Sequence, residues 1–244
     1  MNKLNKVFKL IGIFLLFLFF SSIFFIVLNI DTKNISDMKY IIYLSISNLI
    51  LLSIYIYIYH KDLSKDFKEY FEDFNHNFDI SLKYWLTGFA IMAISNVIIS
   101  FILNMTIAGN EESVRDFINV SPILMLFNAS IYAPIVEELT FRKSIREVIN
   151  NKWFYVIVSG LLFAFMHIMG YVTSPIDIIY LIPYGALGIS FALLYYKTNN
   201  IFSTITMHAM HNTIAILLYL AVGGLLWKSL LDSYSLFYYL YFFY

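Results

Sequence analysis

Seven stretches of this chain run for about 20 residues with no Asp, Glu, Lys or Arg, the length a helix needs to cross a bilayer. They are Leu10–Ile30, Tyr40–Tyr59, Tyr84–Asn110, Phe117–Val136, Trp153–Ile176, Ile178–Tyr196 and Thr198–Trp227. None alternates with period two, so barrel strands are excluded and helices are expected. The composition agrees. Hydrophobic residues make up 60% of the 244 residues and charged residues 13%, against roughly 45–50% and 25% in soluble domains. A core this large could not be covered by so few polar side chains. The expected fold is all-α, a polytopic membrane helical bundle of seven or eight transmembrane helices. The uncertain eighth is the apolar, aromatic tail Leu225–Tyr244, which carries Lys228 and Asp232.

Charge and cysteine content exclude further classes. Sixteen Lys and Arg balance sixteen Asp and Glu, so the basic excess that nucleic acid requires is absent. With no cysteine there is no disulfide, thiolate nucleophile or Cys-based metal site. The first run follows Lys3, Lys6 and Lys9 but is too long for a signal-peptide core, and no cleavage site follows it, so it is read as an uncleaved span. Three spans and a surface loop occupy residues 1–120, four spans form a core over 121–222, and the tail is 223–244. Phe67, Tyr70, Phe71 and Phe74 in the loop His60–Lys83 suggest an amphipathic helix on the membrane surface.

Alternate loops are the basic ones. The N-terminus, His60–Lys83, the Arg142–Lys152 turn and Lys197 outweigh Lys33, Lys39 and Arg115 on the other side. The positive-inside rule then places the N-terminus in the cytoplasm and Gly109–Asp116 outside.

Ionisable groups within such spans are costly and usually have a task. Pro134–Lys143 reads PIVEELTFRK, with adjacent carboxylates at Glu137 and Glu138. Arg142 lies four residues after Glu138 and can pair with it on one helix face. Glu137 points roughly 100° away and is free for other work. His167 is the lone ionisable residue of its run. His208 and Asn212 share a helix face, with His211 on the side away from Asn212. Counted from their turns, Glu137, His167 and His208 fit one layer of the membrane towards the basic, cytoplasmic side.

One carboxylate and two imidazoles in a dry cavity suit hydrolysis. Glu137 can take a proton from water that His167 helps to hold, while His208 and Asn212 donate to an oxyanion. Alternatively, Glu137, His167 and His208 can ligate Zn²⁺ or another divalent metal. Sequence leaves the metal-bound and metal-free waters equally open. No H-E-x-x-H or G-x-S-x-G motif is present.

Three features in order, Glu137-Glu138 with Arg142, Phe163 with His167, and His208 with Asn212, resemble the CPBP family. That family contains CAAX prenyl endopeptidases and bacteriocin-processing or abortive-infection proteins. The matched stretch is Pro122–Leu220, and Tyr184–Gly188 resembles a weaker intermediate motif. The resemblance implies an intramembrane endopeptidase with a site opening towards the cytoplasm and a peptide or membrane-protein substrate met among membrane lipid. It implies that Glu137 and His167 activate water, His208 and Asn212 stabilise the oxyanion, and Glu138–Arg142 is a structural pair. His211 lies outside the motif and is read as a packing residue. Richness in Ile, Phe, Tyr, Lys and Asn points to an AT-rich bacterial genome and so to the plasma membrane of a bacterium. Bacterial relatives make a non-catalytic immunity or scaffold module the competing reading. A transporter would be expected to show repeats and broken spans, and neither is found.

Overall fold

The computed structural model describes residues 2–103 and 108–223, so the tail that might form an eighth span lies outside the described residues. Helix α1 is Lys3–Val27, α2 Asp37–Glu72, α3 Phe74–Leu103 and α4 Gly109–Val120. Helix α5 runs over Pro122–Val148, α6 over Lys152–Ile168, α7 over Leu181–Thr198 and α8 over Ile201–Gly223. No strand occurs among the described residues. Among the described residues six helices are long and apolar enough to cross a membrane, and α6 is a shorter apolar one. The protein is an all-α polytopic membrane protein.

Several boundaries differ from the sequence reading, each for a local reason. The stretch around Tyr70 is no separate surface helix. Helix α2 continues unbroken to Glu72 and α3 begins at Phe74. Tyr70 is fully buried, and Phe71 stacks on Phe74 at 5.7 Å. Asp66 fixes this extension by accepting from the backbone N–H of Ile201 at 3.0 Å, which caps α8. The fourth span begins at Pro122, not Phe117, because a residue before proline is pushed out of the helical region. Ser121 accordingly adopts φ −156°, ψ 95°, and the preceding residues form the separate short helix α4. The fifth span ends at Ile168, and a 3₁₀ turn at Pro175–Tyr180 leads into α7. At 1.5 Å per residue α6 is only about 25 Å long, shorter than a typical hydrocarbon core.

The two ends of the bundle are chemically distinct. At one end Lys9 pairs with Glu147 at 3.0 Å and Lys143 with Asp62 at 2.7 Å. This basic end gathers the N-terminus, the α2–α3 hairpin and the turns after α5 and α7. At the other end Tyr40 stacks on Phe117 at 5.8 Å, and Asn119 accepts from the Tyr219 hydroxyl at 3.1 Å. Helix α4 lies here, with Gly109 packed on Tyr171.

In lipid, helices associate by close packing of small residues. Helices α6 and α7 meet at Gly160 and Gly188, where a Cβ on Gly188 would stand 2.6 Å from the Gly160 carbonyl oxygen. Backbone cannot yield as a flexible side chain can. Gly188→Val is therefore expected to cost about 1–3 kcal/mol or more by overpacking, read as a lower thermal unfolding midpoint in detergent; an unchanged midpoint would show that the two helices are not in this contact. On the opposite face of α7, the Ser190 hydroxyl donates to the Tyr84 carbonyl of α3.

Candidate active site

Helix α5 carries the carboxylates and is not a uniform α-helix. It widens into π-type turns at Asn128–Tyr132 and Glu138–Ser144. Such turns leave main-chain carbonyls short of partners, and inside a membrane each must be satisfied by protein. Side-chain donors supply them. Thr140 donates to the Val136 carbonyl at 2.7 Å, and Ser159 of α6 to the Phe141 carbonyl at 2.6 Å. Pro134 has no N–H to offer, and the Ala129 carbonyl five residues before it accepts from Asn212 Nδ2 at 2.7 Å.

The second wide turn begins where the two carboxylates part. Glu138 turns into the core with no exposed surface, and Arg142 Nε lies 3.2 Å from its Oε2. The equally buried guanidinium sits 4.4 Å from the centre of the Phe163 ring, a cation–π contact in a dry setting. The other Glu138 oxygen, Oε1, is 2.9 Å from His208 Nδ1. Glu137 turns the other way, into a cavity of about 370 Å³.

His167 and His208 meet Glu137 there. Glu137 Oε2 is 3.8 Å from His167 Nε2 and 3.9 Å from His208 Nε2. Both distances exceed hydrogen-bonding range. His167 Nδ1 lies 2.8 Å from the Phe163 carbonyl. A carbonyl only accepts, so that nitrogen holds the proton. His208 Nδ1 likewise donates to Glu138. In their neutral forms both rings therefore present an Nε2 lone pair to a carboxylate oxygen that is itself buried without a hydrogen-bond partner. Three acceptors facing one small space call for a donor or cation between them. A water molecule answers that need.

The donor types also suit Zn²⁺. A carboxylate and two imidazoles form a known catalytic set, and each imidazole has its second nitrogen tied to a carbonyl or carboxylate, as metal-bound histidines do. The separations are wider than the about 3.3 Å edge of a tetrahedral zinc site. Among the described residues no three such side chains stand close enough, as placed, to hold a metal ion.

Asn212 Nδ2 donates one amide N–H to the Ala129 carbonyl and keeps its second N–H. His208 Nε2 is an acceptor while the ring is neutral, so it offers nothing to an oxyanion until it is protonated. His211, read as packing, does pack between Trp85 and Phe89, but it also lines the cavity. Its Nδ1 accepts from Trp85 Nε1 at 3.4 Å. An indole only donates, so the imidazole proton sits on Nε2. Sequence offered one signal for it, its place beside the His208–Asn212 pair. A buried amide network was also missed: Asn48 donates to Asn128 Oδ1 at 2.9 Å, and Asn128 donates to Ser45 at 2.7 Å. Asn48 and Asn128 line the cavity.

The cavity does not reach the basic end. Its walls run from Glu137, Phe191 and His208 to Asn110, Glu111 and Tyr171. On the other side of Glu137 the residues from Glu138 to Arg142 are all fully buried.

Comparison with known proteins places this geometry in a family. Residues 119–214 match the model described as type II CAAX prenyl endopeptidase Rce1-like. UPF0177 protein YvdC of Lactococcus lactis is 29% identical over 154 residues, covering 59% of this chain and 57% of that protein. YdiL of Bacillus subtilis, named as a membrane peptidase, is 33% identical over 114 residues, covering 46% and 43%. UPF0177 protein YxdF of L. lactis is 30% identical over 142 residues, covering 56% of this chain and 76% of YxdF. The matches to YvdC and YdiL thus span about half the length of those relatives. No solved structure matches the chain. The chain belongs to the CPBP family, to which the Rce1-like model and these relatives connect it.

Proposed function

We propose that this protein is an intramembrane endopeptidase that hydrolyses a peptide bond of a membrane-associated peptide or protein, in the plasma membrane of a bacterium. The observation that carries the reading is the convergence of Glu137 Oε2, His167 Nε2 and His208 Nε2 at 3.8 and 3.9 Å on the wall of a cavity. A water held there donates one hydrogen to Glu137 Oε2 and the other to the Nε2 of His167 or His208, and keeps a lone pair for a substrate carbonyl. Glu137 takes a proton as the water oxygen bonds to the carbonyl carbon, forming a tetrahedral oxyanion. The same proton passes to the amide nitrogen as the C–N bond breaks, giving a carboxylic acid and an amine. His167 and His208 hold the water in line, and Glu138, itself held by Arg142, fixes the His208 ring. A divalent ion bound by Glu137, His167 and His208 would add Lewis acidity and lower the pKa of the water.

The test is cleavage of a peptide library by the purified protein beside Glu137→Ala. Cleavage by wild type alone supports the reading. Absence of cleavage in both, with the host phenotype retained by the mutant, would favour a non-catalytic immunity or scaffold role. Elemental analysis decides between the two waters. One equivalent of zinc, with activity lost to a chelator and restored by zinc, is the metal outcome; full activity in metal-free protein is the glutamate-only outcome.

The oxyanion donors in this reading are the second amide N–H of Asn212 and the Nε2–H of His211, both residues of the cavity wall. His211→Phe keeps the packing on Trp85 and Phe89 but removes the imidazole donor. It is expected to lower kcat by about 10²-fold or more while leaving KM nearly unchanged, as loss of an oxyanion donor does. An equal rise in KM with kcat intact would assign His211 to substrate binding instead.

A further inference from the structure

We infer that Asn48 of α2 is a specificity-determining residue whose side-chain amide holds the main chain of an extended substrate segment about four residues from the bond that is cut. The inference rests on the proteolytic reading above and adds to it how the segment is held. Asn48 lies in α2, outside the matched residues 119–214, and a polar side chain within a spanning helix is costly unless it has a partner. A chain of hydrogen bonds fixes which way this amide faces. Ser45 Oγ donates to the Ile41 carbonyl at 2.7 Å, which leaves its oxygen to accept. Asn128 Nδ2 donates to that oxygen at 2.7 Å and to the Leu124 carbonyl at 2.9 Å. Both N–H groups of Asn128 are then engaged, and its Oδ1 can only accept. Asn48 Nδ2 therefore donates one N–H to it, at 2.9 Å.

That link between α2 and α5 engages only part of the Asn48 amide. Its Oδ1 and second N–H have no partner among the described residues, although Asn48 is only 6% exposed and lines the cavity. A tie between helices accounts for the first N–H and not for these. An amide oxygen beside an N–H is the complement of a peptide main chain, which offers an N–H and a carbonyl oxygen. In a helix both are already bonded, so the site calls for an unwound segment and tolerates varied side chains at that place. The register follows from α5. Glu137 comes nine residues after Asn128, about 13 Å at 1.5 Å per residue. An extended chain advances about 3.3 Å per residue, so about four residues lie between the group held at Asn48 and the bond held at Glu137. Between the two, Ala129 and Ala133 of α5 line the cavity, and their small side chains leave room for a chain along the helix.

The test is a scan in which single amide bonds of a cleaved library peptide are replaced by esters, each removing one main-chain N–H with little change of shape. With the full-length wild type, an ester about four residues from the scissile bond is expected to raise KM by about 2–10-fold, the weight of one neutral hydrogen bond, with the loss in KM rather than kcat. In Asn48→Leu the same ester should cost nothing further, as a double-mutant cycle requires of a direct contact. Asn48→Leu combined with Asn128→Leu strands no amide oxygen and repeats the cycle if the single variant does not fold. A flat scan with wild type, or an equal ester penalty in wild type and variant, overturns the inference and leaves proteolysis standing. The second arm is binding of the same peptides, fluorescently labelled, to Glu137→Gln in detergent, read by anisotropy. Binding that is ester-sensitive only while Asn48 is present, with no library peptide cleaved by wild type, supports the hold at Asn48 and removes the proteolytic reading. Peptides that neither bind nor are cleaved overturn both.

Discussion

Replacing Glu137 by Gln is expected to lower peptide cleavage by about 10²–10⁴-fold, the range for loss of a general base, without loss of fold. The expectation has a structural basis on both counts. The amide is close in shape to the carboxylate but cannot accept the proton of an attacking water. Glu137 Oε2 has no hydrogen-bond partner in the protein, and its neighbours His167 and His208 stand beyond hydrogen-bonding distance. Nothing structural is therefore lost with the charge, and the thermal unfolding midpoint in detergent should hold or rise. A variant that loses activity and fold together would reassign Glu137 from chemistry to architecture.

Arg142 is expected to behave in the opposite way. Its guanidinium has no solvent exposure and its charge is met by Glu138 and the Phe163 ring. Arg142→Met removes one partner of a buried pair and strands the other, which costs about 3–5 kcal/mol. Little folded protein should survive extraction. Glu138→Gln combined with Arg142→Met removes both charges and should recover much of the folded yield, read by size-exclusion and thermal unfolding. Activity should return only in part, because the amide oxygen at position 138 still accepts from His208 Nδ1 but no longer carries the charge that strengthens that bond. If the double variant is as unstable as the single one, the pair is not the source of the cost. If it is fully active, the charge of Glu138 is not needed by His208.

The spans were legible because apolar runs of bilayer length carry their own signal, and the site because Glu137, Glu138, His167 and His208 are charged or polar groups in runs that otherwise exclude them. The pairing of Glu138 with Arg142 follows from spacing alone, and the structure places it at 3.2 Å. What spacing could not give was register. The wide turn beginning at Glu138 depends on Thr140, Ser144 and Ser159 donating to main-chain carbonyls. No periodicity marks such a turn. The engagement of Asn212 had a faint trace in Pro134, whose missing N–H leaves a carbonyl to be satisfied, but its partner comes from a helix 83 residues later in the chain.

The most direct measurement of the central claim is hydrolysis in heavy-oxygen water by purified wild type and Glu137→Gln, followed by mass spectrometry of a peptide library. The account predicts internal cleavage by wild type, one heavy oxygen in each new C-terminal carboxylate, and near-complete loss of these products in Glu137→Gln. Equal product formation by the two proteins would contradict it, since the water would then be activated by some other group.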